Sequence, residues 1–128
     1  MPKQIIQTSK VPAPIGPYSQ AVIANGFLFA SGQVAFDPTT GELVLDSIQA
    51  ETKQVMENIK AILEAASINF SHVVKTTIFL SDMSLFAQVN EVYGAYFTAD
   101  FPARETVAVK TLPRNVNVEI SVTAIISL

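Results

Sequence analysis

Two apolar runs in "SQAVIANGFLFASGQV" flank Asn25-Gly26, the pair that best suits a two-residue type I′ turn with φ > 0 at both central positions. This predicts a β-hairpin, interrupted at Gly32 and followed by turn chemistry in Asp37-Pro38-Thr39-Thr40-Gly41. From Asp46 to Ala66 the period changes. Ile48, Val55, Ile59, Ile62, Leu63 and Ala66 recur at helical spacing, with Glu51, Lys53, Glu57, Lys60 and Glu64 assigned to the polar face. Asp46 with Gln49 resembles a capping box, and Lys53/Glu57 and Lys60/Glu64 are i,i+4 pairs worth about 0.2–0.5 kcal/mol each.

"HVVKTTIFLS" reads as a strand with Val74, Thr76, Ile78 and Leu80 on one face. A second helix is predicted from Ser84 to Phe97, burying Phe86, Val89, Tyr93, Tyr96 and Phe97, with Ser81, Asp82 and Ser84 as candidate caps. Strands over 105–111 and 116–127 follow, joined through Leu112-Pro113-Arg114-Asn115, and a short strand over 3–8 can precede the hairpin. The order β-β-α-β-α-β-β predicts one domain over 1–128, of class α+β. It is a two-layer fold with a mixed sheet of about six strands and both helices on one face. Neither a linker nor a fixed-period repeat is visible.

Nothing in that pattern covers the other face of the sheet. Composition sharpens the point: 49% of the residues are apolar and 15% charged, against about a quarter charged in typical domains. The expected answer is association of sheets between copies. With no cysteine and one histidine, His72, thiolate sites, disulfides and multi-histidine zinc sites have no donors within one chain, and His72 reads as structural or solvated. The net charge of −3 without a basic run argues against a nucleic-acid partner. Apolar stretches fall short of the roughly 20 residues of a membrane span, and MPKQIIQTSK lacks the apolar core of a signal peptide; a soluble, cytoplasmic protein without membrane contact is expected.

Two charged residues lie inside strand patterns. Glu119 shares parity with Ser121 and Thr123, opposite Val118, Ile120, Val122, Ala124 and Ile126, while Arg104 shares parity with Thr106, Ala108 and Lys110. The pair fits a structural ion pair, within a chain or across an interface. Parity alone favours that reading; the alternative is a small anionic-substrate site, in which the arginine fork holds a carboxylate and a half-dry glutamate positions water. Periodicity leaves both open.

"VPAPIGPYSQAV", "ASGQV" followed by "DPTTGEL", "FAQVNEVYGAYF", and "FPAR" leading through "LPRNVNVEI" together resemble the RidA family, also called YjgF, over nearly the whole chain. The resemblance implies a chorismate-mutase-like fold assembled as a homotrimer, with active sites in clefts between subunits. It implies hydrolytic deamination of 2-aminoacrylate, 2-iminobutyrate and similar reactive enamines and imines to 2-oxo acids and ammonia, with no cofactor and no metal. It assigns Arg104 to the substrate carboxylate, Glu119 to the attacking water, Tyr18 and Asn90 to the pocket, and Ser31 and Gly32 to a backbone segment lining it. By the residues alone, Tyr18 reads first as a turn aromatic covering the hairpin, and Asn90 also fits an exposed helix residue and Gly32 a β-bulge.

Two positions depart from the family pattern: Glu105 and Thr106 stand where many relatives carry a small residue and a cysteine. Thr106 keeps a backbone carbonyl for the substrate nitrogen. Glu105 would repel a carboxylate if it bent into the cleft, which keeps alive a non-catalytic protein that binds 2-oxo acids or other metabolites in the same cleft. An endoribonuclease is disfavoured by the acidic charge balance.

Overall fold

The structure, a computed structural model, describes residues 2–128. Six strands form one sheet in the order β1-β2-β3-β6-β4-β5: β1 (Gln4–Ile6), β2 (Ala21–Ala24), β3 (Phe27–Ala30), β4 (Val73–Leu80), β5 (Ala103–Ala108) and β6 (Val118–Ile125). Only β4 and β5 pair in parallel, across the connection that contains the second helix. Asn25 and Gly26 have φ of 51° and 84°, and Ala24 pairs with Phe27, which is the expected I′ hairpin.

Helices α1 (Ile48–Ala65) and α2 (Phe86–Gly94) feed one core. Val55, Met56, Ile59, Ile62 and Leu63 of α1 and Val89 and Tyr93 of α2 pack with Leu28, Ile78, Leu80, Val118, Ile120, Val122 and Ala124 of the sheet. The two-layer α+β architecture is therefore as expected, with both helices on one face. On the other face Phe27, Phe29 and Val107 are 40–46% exposed, uncovered by any described residue of the same chain.

Several expectations are corrected. The cap of α1 is Ser47, whose Oγ accepts from the Ala50 N–H at 3.0 Å, and not Asp46. Glu51, assigned to the polar face, is 1% exposed; it lies four residues before Val55 and eight before Ile59, on the apolar stripe itself. A register shift between Val73 and Lys75 turns Val74 out to 39% exposure and puts Val73 into the core, because the extra residue of a bulge reverses the alternation.

The second helix is shorter than 84–97. Asp82, among the three candidate caps, accepts from Ser84 N–H at 2.7 Å and starts a 3₁₀ turn, Met83–Leu85, that leads into α2. Beyond Gly94 the bonds become i→i+3, from Ala95, Tyr96 and Phe97 to Val92, Tyr93 and Gly94, as Tyr96 and Phe97 turn to pack on Phe70. Strand β5 starts at Ala103 rather than Glu105 and stops at Ala108, because its register with β4 runs from Lys75↔Ala103 to Leu80↔Ala108 and β4 ends there. Asn115 and Arg114, both at positive φ, delay β6 to Val118.

Candidate functional site

Arg104 enters the edge strand β5 just after Pro102 and pairs with the buried Thr76, so it projects on the helix side of the sheet. Its Nη1 donates to Asn90 Oδ1 at 2.5 Å, and the guanidinium carbon lies 5.4 and 5.2 Å from the ring centres of Phe86 and Tyr93. Tyr93 is itself fixed by a 2.8 Å hydrogen bond with Thr76; burial pushes its phenol above the ordinary value, against smaller opposing effects of Thr76 and Arg104. These groups, with Gly94, Phe101 and Pro102, line a cleft of 460 Å³. Among the described residues the one ion pair is Lys75–Glu105, so no carboxylate neutralises Arg104, and a single N–H is committed to Asn90.

Glu119 belongs to the opposite face. It pairs with Phe79, and Phe79 pairs with the outward Val107. Burial pushes its carboxyl above the usual range. The chain makes room for it at Gly32: a Cβ there would sit 2.9 Å from Glu119 Cδ and 3.0 Å from Oε2, closer than real Cβ atoms approach. Phe29 pairs with Thr123 and Gln33 bridges Ile120, so four steps on one strand oppose three on the other. Gly32 thus lies in a β-bulge and also permits the close approach.

Ser31 ties this segment to the loop before β2, its N–H donating to the Gln20 carbonyl at 2.9 Å and its Oγ to the Ser19 carbonyl at 2.6 Å. Tyr18, adjacent to that anchor, is 56% exposed and lines a shallow cleft with Lys3, Ser19, Phe29 and Ser31.

The residues singled out from the sequence therefore fall into two groups: Arg104, Asn90 and Thr106 on the helix side, and Glu119, Gly32, Ser31 and Tyr18 around the outer face. From the register, Arg104 and Glu119 are three residues apart along the strands and two strands apart across them, about 14 Å between backbones, with side chains diverging. An intrachain ion pair between them is thus ruled out. Thr106 is on the Arg104 face, and its Oγ1 is buried with no partner among the described residues.

Glu105 points to the outer face and meets Lys75 Nζ at 3.0 Å, away from Arg104. His72 closes a capping box, Nδ1 accepting from the Asn69 N–H at 3.2 Å, the structural role expected. Among the described residues no group of three His, Asp or Glu side chains converges as a metal site, and no helix is long and apolar enough to cross a membrane.

The residues that sequence reasoning missed are Glu51 and Asn117, whose contacts fix the backbone just before Glu119. The helical spacing of Glu51 with Val55 was the available signal.

The pattern of the family described as Endoribonuclease L-PSP matches residues 8–126. A RutC family protein of Pyrococcus horikoshii is 52% identical over 95% of this chain and 97% of its own. The 2-iminobutanoate/2-iminopropanoate deaminase of Mus musculus is 46% identical over 96% of this chain and 90% of its own. The crystal structure of E. coli TdcF with bound serine superposes with a TM-score of 0.91 at 38% identity, covering 95% of this chain and 98% of that one. With nearly the whole chain matched by sequence and by fold, this protein belongs to the Endoribonuclease L-PSP family, the YjgF/RidA family.

Proposed function

We propose that the protein hydrolyses reactive 2-imino acids, including those formed from 2-aminoacrylate and 2-iminobutyrate, to 2-oxo acids and ammonia, in clefts shared between copies of a homotrimer. The observation that carries this reading is the unneutralised Arg104, braced by Asn90 and two aromatic faces at the mouth of a cleft. A braced guanidinium is preorganised for a carboxylate, since little side-chain entropy remains to be lost on binding. The mouse relative's name, an imine deaminase, and the amino acid bound to the E. coli relative support the same substrate class.

Because Arg104 and Glu119 diverge from opposite faces of one sheet, one small substrate meets both only when a second copy supplies one of them. The exposed Phe27, Phe29 and Val107 give the outer face its reason to pack on another copy. The carboxylate of the imine docks on Arg104, and water held by the Glu119 carboxylate of the neighbouring copy attacks C2. With the imine protonated on nitrogen, the C–O bond forms as the C=N π pair moves to nitrogen and Glu119 takes a proton from the water. Glu119 returns that proton to the carbinolamine nitrogen, the C–N bond breaks as the hydroxyl O–H pair forms C=O, and ammonia departs with the hydroxyl proton released to solvent. Tyr18, Ser31 and Gly32 wall the Glu119 side, and Thr106 offers its carbonyl to the substrate nitrogen.

Such imines hydrolyse unaided in water, so positioning supplies most of what catalysis needs here. Glu105 points away from the Arg104 of its own chain and pairs with Lys75, which supports turnover over the purely ligand-binding alternative that Glu105 kept alive. The net charge of −3 fits a small anion on a single arginine better than an RNA backbone. The test generates 2-iminobutyrate from threonine with a threonine dehydratase and traps remaining imine with semicarbazide. Faster loss of imine with wild type, and not with Arg104→Ala, is expected; no acceleration by wild type overturns the reading in favour of metabolite binding without turnover.

A further inference from the structure

Glu51 sits in the first turn of α1, 1% exposed, with no cation within ion-pair distance among the described residues. Its Oε2 accepts from the backbone N–H groups of Asn117 at 2.8 Å and Val118 at 3.2 Å, and its Oε1 accepts from Asn117 Nδ2 at 2.8 Å. Asn117 is gripped from the other side as well. Its carbonyl accepts from Ser81 N–H at 3.0 Å and its Oδ1 from Ser81 Oγ at 3.1 Å.

These bonds tie α1, the end of β4 and the start of β6 together immediately before Glu119. Immediately after it, Ile120 exchanges two backbone hydrogen bonds with Gln33, at 2.8 and 3.1 Å. Glu119 is therefore the single residue between two clamps, and its carboxyl lies against Gly32, the residue next to Gln33.

A buried carboxylate is a costly way to fill space, and an apolar side chain of equal length serves packing at least as well. What the carboxylate adds is direction: two acceptors that draw three donors of one dipeptide to fixed points. We propose that Glu51 is the positioning residue for Glu119, setting from the helix layer where the outer-face carboxylate stands; the role rests on the reading of Glu119 as the holder of the attacking water. The sheet transmits the constraint, since Val118 and Glu119 are consecutive residues of β6 and a shift of Val118 along its strand carries the Glu119 backbone with it relative to Gly32.

Two variants of the full-length protein test this. Glu51→Met keeps the length and removes both acceptors. Glu51→Gln keeps one oxygen for the two backbone donors, while a turned Asn117 amide accepts from the new NH₂ and the Ser81 hydroxyl reorients. Assayed for imine hydrolysis well below the melting temperature, Glu51→Met is expected to lose about tenfold or more in kcat with KM within about twofold, and to move the acid limb of the kcat profile. Glu51→Gln recovers most of that loss.

Wild-type kcat and acid limb in Glu51→Met, with only the melting temperature lowered, overturn the proposal and leave Glu51 a stability element. Should Glu51→Met fail to fold, Glu51→Asp, one methylene too short to reach the same donors, takes its place. If wild type shows no imine hydrolysis, it is the catalytic reading that fails. Positioning is then decided by NMR titration of the Glu119 carboxyl in the two uncharged variants: a midpoint that differs between Glu51→Met and Glu51→Gln, which lack the same charge, supports it, and equal midpoints overturn it.

Discussion

Arg104 keeps one hydrogen bond to a neutral amide and stands on two aromatic faces, so its removal takes away the proposed substrate anchor without leaving a buried charge behind. Arg104→Ala is expected to fold with a near-wild-type melting temperature and to lose about 10- to 100-fold in kcat/KM, the worth of charge-assisted hydrogen bonds to a carboxylate. Arg104→Lys recovers charge without the fork and remains impaired. Glu119 makes a prediction of opposite sign for stability and activity. Burial holds its folded-state pKa above the unfolded value, so its contribution to stability is present below the unfolded pKa and is lost as pH rises through the folded one. Glu119→Gln is therefore expected to melt higher than wild type at pH 7, with the difference shrinking as the pH falls through the acid range, in paired thermal scans. In the proposed mechanism turnover needs the ionised form, so the acid limb of kcat is expected to lie above the ordinary carboxylate range of about 4 and to disappear in the residual activity of Glu119→Gln. Gly32→Ala drives a methyl into the Glu119 carboxyl and is expected to cut kcat while leaving KM, which the proposed mechanism sets at Arg104, nearly unchanged. Alternation along β5 and β6 placed Arg104 and Glu119 on polar strand positions, but their divergence to opposite faces depends on the β4 strand between them, a register that no local pattern encodes.

Elements were legible wherever one short-range signal governed them. The Asn25-Gly26 hairpin follows from the φ > 0 demand of its turn, and α1 from eighteen residues of sustained period. The ends were less so, because they answer to partners. β5 is cut to the length of β4, α2 gives way to i→i+3 bonds where Tyr96 and Phe97 find Phe70, and the bulge at Val73 to Lys75 shifts one valine for another in the core. The cap of α1 shows how close two candidates stand: Asp46 and Ser47 both carry a suitable oxygen, but the extended backbone of Ser47 (φ −156°, ψ 161°) aims its Oγ at the Ala50 N–H. Ser47→Ala is expected to lower stability by about 1 kcal/mol, whereas the same change at Asp46 leaves the cap intact; urea unfolding midpoints of the two variants at matched m-values separate them.

The whole molecule presents a sheet with one face sealed by helices and the other carrying exposed Phe27, Phe29 and Val107 together with the half-buried Glu119. The proposed site, split across the two faces, has a consequence that a self-contained site lacks. In the proposed homotrimer, Arg104→Ala and Glu119→Gln assemblies each hold three damaged sites and are expected to turn over imine at about a tenth of the wild-type rate or less. Trimers reassembled from an equal mixture contain some clefts that join the intact arginine of one copy to the intact glutamate of the next. With random assortment each partner is correct half the time, so about one site in four recovers, half multiplied by half. The measurement is imine hydrolysis before and after co-refolding the two variants, with unmixed controls carried through the same steps. Recovery near a quarter of wild-type turnover fits a cleft built by two copies. No recovery in a verified mixed trimer means that Arg104 and Glu119 never serve the same substrate, and the chemistry then belongs to the Arg104 cleft alone.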